Sequence, residues 1–181
     1  MIVMANIGVL VGSLSKYSYS QKLANYLIGQ SSKANFIQIN YDILPLYNPD
    51  LEKEPPLEWQ VFREVVDKMD ALLFVTQEYN FSIPGGLKNA IDILSVPSPQ
   101  PHIYHKPALV ITDSSGARGG ANANAHIQQL LRYTGMDVMN AFVTVGNVQQ
   151  IFDQHDRLTD HTTAKMLNKV LGDFVNMVNE K

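Results

Sequence analysis

The sequence predicts a doubly wound α/β fold: a five-stranded parallel sheet in the order 2-1-3-4-5, with helices on both faces. Two observations carry this. Short apolar runs alternate five times with amphipathic stretches, which is the pattern of strand–crossover–strand units. The run "DALLFVT" (70–76) is almost continuously apolar, as a central strand covered on both faces must be. No internal repeat or low-complexity tract interrupts the alternation. Right-handed crossovers then leave few topologies, and this order is the common five-stranded one.

Taken in order, "NIGVLVG" (6–12) reads as a buried strand, and "SYSQKLANYLIGQ" (18–30) as a helix with Leu23, Ala24, Leu27 and Ile28 on one face. "ANFIQIN" (34–40) alternates apolar and polar residues, so it is placed nearer the sheet edge. A loop rich in Pro, Tyr and acids spans 41–56, and Trp59, Phe62, Val66 and Met69 follow at helical spacing. After the third strand, Leu87, Ala90, Ile91 and Leu94 fit the i, i+3, i+4, i+7 template. "PALVIT" (107–112) is the fourth strand, with Ile127, Leu130 and Leu131 on the helix behind it. "NAFVTVG" (140–146) is the fifth, and Leu167, Val170, Leu171, Phe174, Val175 and Val178 mark a closing helix.

At 181 residues the chain is read as one domain, 1–181, large enough to bury its own core. A composition of 45% hydrophobic and 17% charged residues is that of an ordinary globular protein. The net charge of -3 lacks the basic face that nucleic acid requires. The apolar start "MIVMANIGVLVG" is too short to span a bilayer and has no basic n-region. There is no cysteine, which excludes disulfides and thiolate chemistry and makes the cytoplasm the expected compartment. Neither nucleic acid nor a membrane is expected as a partner.

In this topology a ligand binds beyond the carboxyl ends of the strands, where the order reverses between strands one and three. Three loops therefore decide function: "GSLSKYSYS" (12–20), "QEYNFSIPGG" (77–86) and "SSGARGGANAN" (114–124). The first places Ser13, Ser15, Ser18 and Ser20 around a helix start, where amides and hydroxyls cradle a phosphate. One serine there is usually only an N-cap, but four exceed what capping needs. The loop is not a phosphate loop of the Gly-Lys-Ser/Thr type, nor a G-x-G-x-x-G dinucleotide fingerprint. No G-x-S-x-G nucleophile elbow occurs either. In the third loop Gly116, Gly119 and Gly120 allow close approach to the backbone.

The second loop is the informative one. Pro84 is expected to preset a helical turn and Ser82 to cap it. Gln77 to Asn80 then run along the carboxyl edge of the sheet, offering alternating N–H and C=O groups of the kind a flavin's pyrimidine side needs. Turn chemistry accounts for Pro84 and the glycines, but not for Tyr79 and Asn80.

These strings resemble the NADPH-dependent FMN reductases of flavodoxin-like fold, a family with azo-, quinone- and chromate-reducing members. The resemblance runs over nearly the whole chain. It rests on "GSLSKYSYSQKLA", "SSGARGG" and above all "EYNFSIPGGLKNAIDILS". It implies bound FMN, NADPH or NADH as co-substrate, and a homodimer, often a dimer of dimers, with the flavin near the interface. By position, Ser13, Ser15, Ser18 and Ser20 would surround the FMN phosphate. Gln77, Glu78, Tyr79 and Asn80 would line the isoalloxazine, with Ser114, Ser115, Gly116 and Gly119 on its other side. Three positions depart from the family pattern, which usually has arginine at Ser15, asparagine at Ser20 and proline at Gln77. Lys16 partly compensates for the arginine as a point charge.

The expected activity is hydride transfer from NAD(P)H through FMN to a small acceptor (free flavin, quinone, azo compound or metal oxyanion) by a ping-pong mechanism. The flavin carries the chemistry, so no catalytic side chain is assigned. The alternatives are a flavodoxin-type electron carrier, usually far more acidic than this chain, and a relative that binds a different phosphate ligand. No metal site is expected, because the loop histidines His102, His105, His155 and His161 lack ligand spacing. Lys88 and Asp92, at i, i+4, read either as a surface pair or as a contact between subunits.

Overall fold

The computed structural model describes residues 4–97 and 101–180. Strand β1 (Ala5–Val11) leads to helix α1 (Tyr19–Ile28) and strand β2 (Ala34–Gln38). A 3₁₀ turn (Pro49–Lys53) precedes α2 (Leu57–Asp67), which is followed by β3 (Ala71–Gln77) and α3 (Gly85–Leu94). Then come β4 (Pro107–Asp113), α4 (Ala121–Tyr133), β5 (Asp137–Val138), β6 (Val143–Val145) and α5 (His161–Asn179). The parallel order is β2-β1-β3-β4-β5, with β6 also paired to β4. This is the flavodoxin-like topology expected from the alternation.

The fifth position differs in detail from the sequence expectation. In place of one strand over 140–146, Asp137–Val138 pairs the start of β4 and Val143–Val145 pairs its end. From Ala108 to Ile111 the chain advances three residues, while its partner advances five, from Val138 to Val143. The surplus residues bulge, held by Met139 N–H on the Ala108 carbonyl (2.8 Å) and Ala141 N–H on the Met139 carbonyl (2.8 Å).

Strand side chains alternate between two cores, as a period of two requires. Ile7, Val9, Val11, Leu73 and Val75 pack with Leu23 and Leu27 of α1 and Leu171 and Phe174 of α5. Leu10, Leu72 and Phe74 pack on the opposite face with α2, α3 and α4. All four residues of the α3 stripe, Leu87, Ala90, Ile91 and Leu94, are fully buried. Pro84 occupies the N-cap position of α3, and Ser82 gives it no side-chain cap.

The long loop 41–56 is tied down by specific bonds. Tyr41 donates to the Val11 carbonyl (2.6 Å), and burial pushes its phenol pKa up. Asn89 accepts from Tyr47 N–H (2.7 Å) and donates to the Pro45 carbonyl (3.1 Å), tying α3 to this loop. Arg63 forks onto Glu52 at 2.7 and 3.2 Å and donates through Nε to the Ile93 carbonyl. The Lys88–Asp92 pair closes within its own helix at 2.6 Å.

Candidate functional site: the carboxyl edge of the sheet

The loop after β1 folds on its own hydroxyls. Ser13 Oγ accepts from Ser15 N–H, Ser15 Oγ from Tyr17 N–H, and Ser18 Oγ from Gln21 N–H as the N-cap of α1. Each acceptor role leaves a hydroxyl proton to give. The first-turn amides of Tyr19 and Ser20 have no intrahelical acceptor, and the helix dipole adds positive potential. Lys16 is exposed beside them. Ser13, Ser15 and Lys16 share a cleft of ≈ 240 Å³ with Gln38, Asn40 and Tyr41. These groups fit an oxyanion such as a phosphate.

Ser20 is placed differently. Its hydroxyl turns inward and lies 2.6 Å from Asp113 Oδ2 and 3.1 Å from Gln77 Oε1. Gln77 and Asp113 end β3 and β4 and sit side by side in register. Burial holds the Asp113 carboxyl above the usual range, at about 6, while the Ser20 hydrogen bond pulls it down. Gln77 Nε2 is buried without a partner. Asp113 was not a candidate from sequence. Two of the three departures from the family pattern, Ser20 and Gln77, meet in this cluster.

The loop after β3 makes a tight turn. Tyr79 and Ser82 exchange both backbone hydrogen bonds at 2.9 Å, and Asn80 and Phe81 between them have φ of 50° and 61°. Positive φ at both central residues is the type I′ pattern. Asn tolerates it, but Phe is strained there, and such strain clusters at functional sites. Tyr79 and Phe81 stay exposed, at 54% and 69%. The backbone edge free for a ligand is therefore shorter than the sequence suggests, because Tyr79 uses its own N–H and C=O in the turn. Ser82 Oγ meets His126 Nδ1 at 3.2 Å.

Glu78 anchors this turn. Its Oε2 accepts from the N–H groups of Asn122 (2.9 Å) and Ala123 (3.0 Å), capping α4, whose N-cap residue Gly120 has no side chain to do so. The Glu78 carboxylate thus binds a helix start.

In the third loop, Ser114 Oγ bonds the Gly116 carbonyl and amide, and the Ser115 carbonyl accepts from Gln149. Gly119 has a φ of +59°, and a Cβ there would sit 2.6 Å from Val145 N. Its lack of a side chain lets the loop close on β6. Gly116 meets no such obstacle, and remains open to approach.

Among the described residues no group of three His, Asp or Glu side chains could hold a metal ion. His102 pairs with Asp67 at 2.8 Å. No helix of the described residues is long and apolar enough to cross a membrane.

The chain is 43% identical over 161 residues to a quinone reductase of Pseudomonas putida, covering 87% of this chain and 86% of that one. It is 36% identical over 185 aligned residues to a quinone reductase of Escherichia coli (strain K12), at 93% and 94% coverage. The solved structure of FerB, a flavoenzyme NAD(P)H:(acceptor) oxidoreductase from Paracoccus denitrificans, superposes with a TM-score of 0.87 at 31% identity over 98% of both chains. Residues 5–150 match the family model described as NADPH-dependent FMN reductase, and with that match the chain belongs to the NADPH-dependent FMN reductase family.

Proposed function

We propose that this protein is an FMN-dependent NAD(P)H oxidoreductase that reduces a quinone by a ping-pong mechanism. The observation that carries the reading is the meeting, at the carboxyl edge of the sheet, of a hydroxyl-lined helix start and a strained, exposed turn. Ser13, Ser15 and Ser18 hold the FMN phosphate with the first-turn amides of α1, and Lys16 adds charge. Tyr79 and Asn80 bound one side of the isoalloxazine; Ser114, Ser115 and Gly116 bound the other, with Gly119 fixing that loop against β6. Ser20, Gln77 and Glu78 act one layer below, Glu78 by pinning the turn to α4.

Bound FMN supplies the centre that accepts hydride from NAD(P)H and passes it on. The chain's own work is to fix the phosphate, orient the ring and leave one face open, so that NAD(P)H and acceptor use the same place in turn. No side chain acts as acid or base in this scheme. The quinone acceptor is supported by the quinone reductases among the relatives. A second copy of the chain covers the face between α3 and the end of α4, where Lys88 and Asp92 of α3, Leu130 and Tyr133 of α4 and Tyr104 of the turn before β4 line a cavity of ≈ 500 Å³.

The test is spectroscopic. The purified protein should be yellow, release FMN on heating, bleach promptly with NADPH under anaerobic conditions, and regain colour on addition of a benzoquinone. FAD as the main released species would overturn the cofactor assignment. Yellow protein that NADPH leaves unbleached is an electron carrier, and colourless protein that takes up no FMN binds another phosphate ligand.

A further inference from the structure

The Ser20 hydroxyl has one proton and two oxygen neighbours, Asp113 Oδ2 at 2.6 Å and Gln77 Oε1 at 3.1 Å. One proton cannot occupy both gaps. A second proton on Asp113 resolves the cluster, since Asp113 then donates to Ser20 and Ser20 donates to Gln77. With Asp113 ionised, Ser20 must donate to the carboxylate, and Gln77 Oε1 is left facing a lone pair. The amide then has to turn over, bringing Nε2, now buried without a partner, to Ser20. One proton separates two hydrogen-bond arrangements of residues that end β3 and begin α1.

We propose that Asp113 is a positioning residue of the flavin cradle, holding Ser20 and Gln77 in the binding arrangement in its protonated form, so that FMN binding takes up a proton. The inference rests on the reading of this edge as the FMN site. Its chemistry follows from placement. Ser20 lies in the first turn of the helix whose start receives the phosphate, and an ionised Asp113 beneath it opposes a dianion that a neutral Asp113 does not. Around Asp113, α1 presents Ser20, β3 presents Gln77, β6 presents the paired Val145, and the loop after β4 brings Gly120. The neighbouring carboxylate of Glu78, one residue beyond Gln77, is committed to the amides of α4. Burial keeps the Asp113 carboxyl at about 6, so the second proton is within reach near neutral pH.

The experiment measures the FMN dissociation constant of flavin-depleted protein by fluorescence quenching, from about pH 8 down to about pH 5. Relative to Asp113→Asn, the wild-type protein should gain about tenfold in affinity over this range, one pKa unit of coupling being tenfold. Asp113→Asn, whose amide donates to Ser20 without titrating, should stay tight at high pH. The comparison also removes the ionisation of the FMN phosphate itself, common to both proteins. Parallel profiles for the two proteins, or an Asn variant weak at every pH, overturn the proposal while leaving the FMN reading intact. No FMN binding by either protein at any pH overturns that reading and the proposal with it. Should the variant fail to fold, the Asp113 carboxyl ¹³C resonance of wild-type protein serves instead. Its titration midpoint should rise when FMN binds, and an unmoved or lowered midpoint overturns the proposal.

Discussion

Ser15 stands exposed at the cleft proposed to take the FMN phosphate, at the position where the resemblance implies an arginine, and its neighbour Lys16 supplies only a point charge. Ser15→Arg should tighten FMN about tenfold, because hydrogen bonds to charged groups contribute ~1.5–3 kcal/mol; a fluorescence titration reads this directly. Asp113 carries a separate prediction, for stability without flavin. Its folded pKa of about 6 lies above its ordinary 3.8, so between these values the folded state holds more protons than the unfolded one. Stability is therefore fullest below about pH 4 and is lost as pH rises through about 6, by on the order of 3 kcal/mol from this group. Denaturant melts of apo wild type and Asp113→Asn should converge at low pH and separate in the variant's favour above pH ~6. Local spacing made the serine-rich helix start and the Glu-Tyr-Asn string visible as motifs, but not the inward turn of Ser20 or the bonds of Glu78 to α4. Asp113 was not legible, since a lone acid ending an apolar strand looks like any strand end. Its partners lie 93 and 36 positions back in the chain, at Ser20 and Gln77.

At the scale of elements, the clamp from Glu78 to α4 joins a loop to a helix 44 and 45 residues away. Removing it with Glu78→Ala should cost about 2 kcal/mol, since two charge-assisted bonds and an α4 cap disappear together. Glu78→Gln, which keeps an acceptor but not the charge, should recover about half of this. Equilibrium denaturation of the two variants distinguishes capping from general loosening of the loop. The neighbouring turn predicts the opposite sign. Phe81 is largely exposed at φ 61°, so Phe81→Gly should stabilise the protein by up to ~1 kcal/mol while weakening quinone reduction in steady-state assays. Helix faces and central strands were readable because their periodicity is dictated by burial. The type I′ turn was not, because its two left-handed residues are Asn and Phe, with no glycine to signal them. The split of the fifth strand was equally hidden, since "NAFVTVG" reads as an unbroken run and the bulge depends on pairing with β4.

For the whole molecule, the face formed by α3, the end of α4 and Tyr104 is the one on which a second copy is proposed to pack. Tyr133 is 89% exposed on this face, and Tyr133→Asp places a charge where a second copy is proposed to pack. Sedimentation should then show a shift from dimer to monomer, and absorbance of the same sample should show reduced FMN occupancy. A monomer that keeps full FMN affinity would separate assembly from cofactor binding. The α3 stripe was readable as the buried side of this helix, but the commitment of Asn89 to the 41–56 loop was not, because that loop has no period to align. The broken fifth strand bears on solubility as well. An unpaired sheet edge is a template on which foreign strands grow into fibrils, and its danger scales with the length of straight, regular backbone it offers. Here that edge consists of two residues, a bulge and three residues, too short and too bent for cross-β growth to start. Ladder growth from this end of the sheet therefore has no straight stretch on which to begin, and the one regular edge left to a foreign strand is the five-residue β2 at the opposite end.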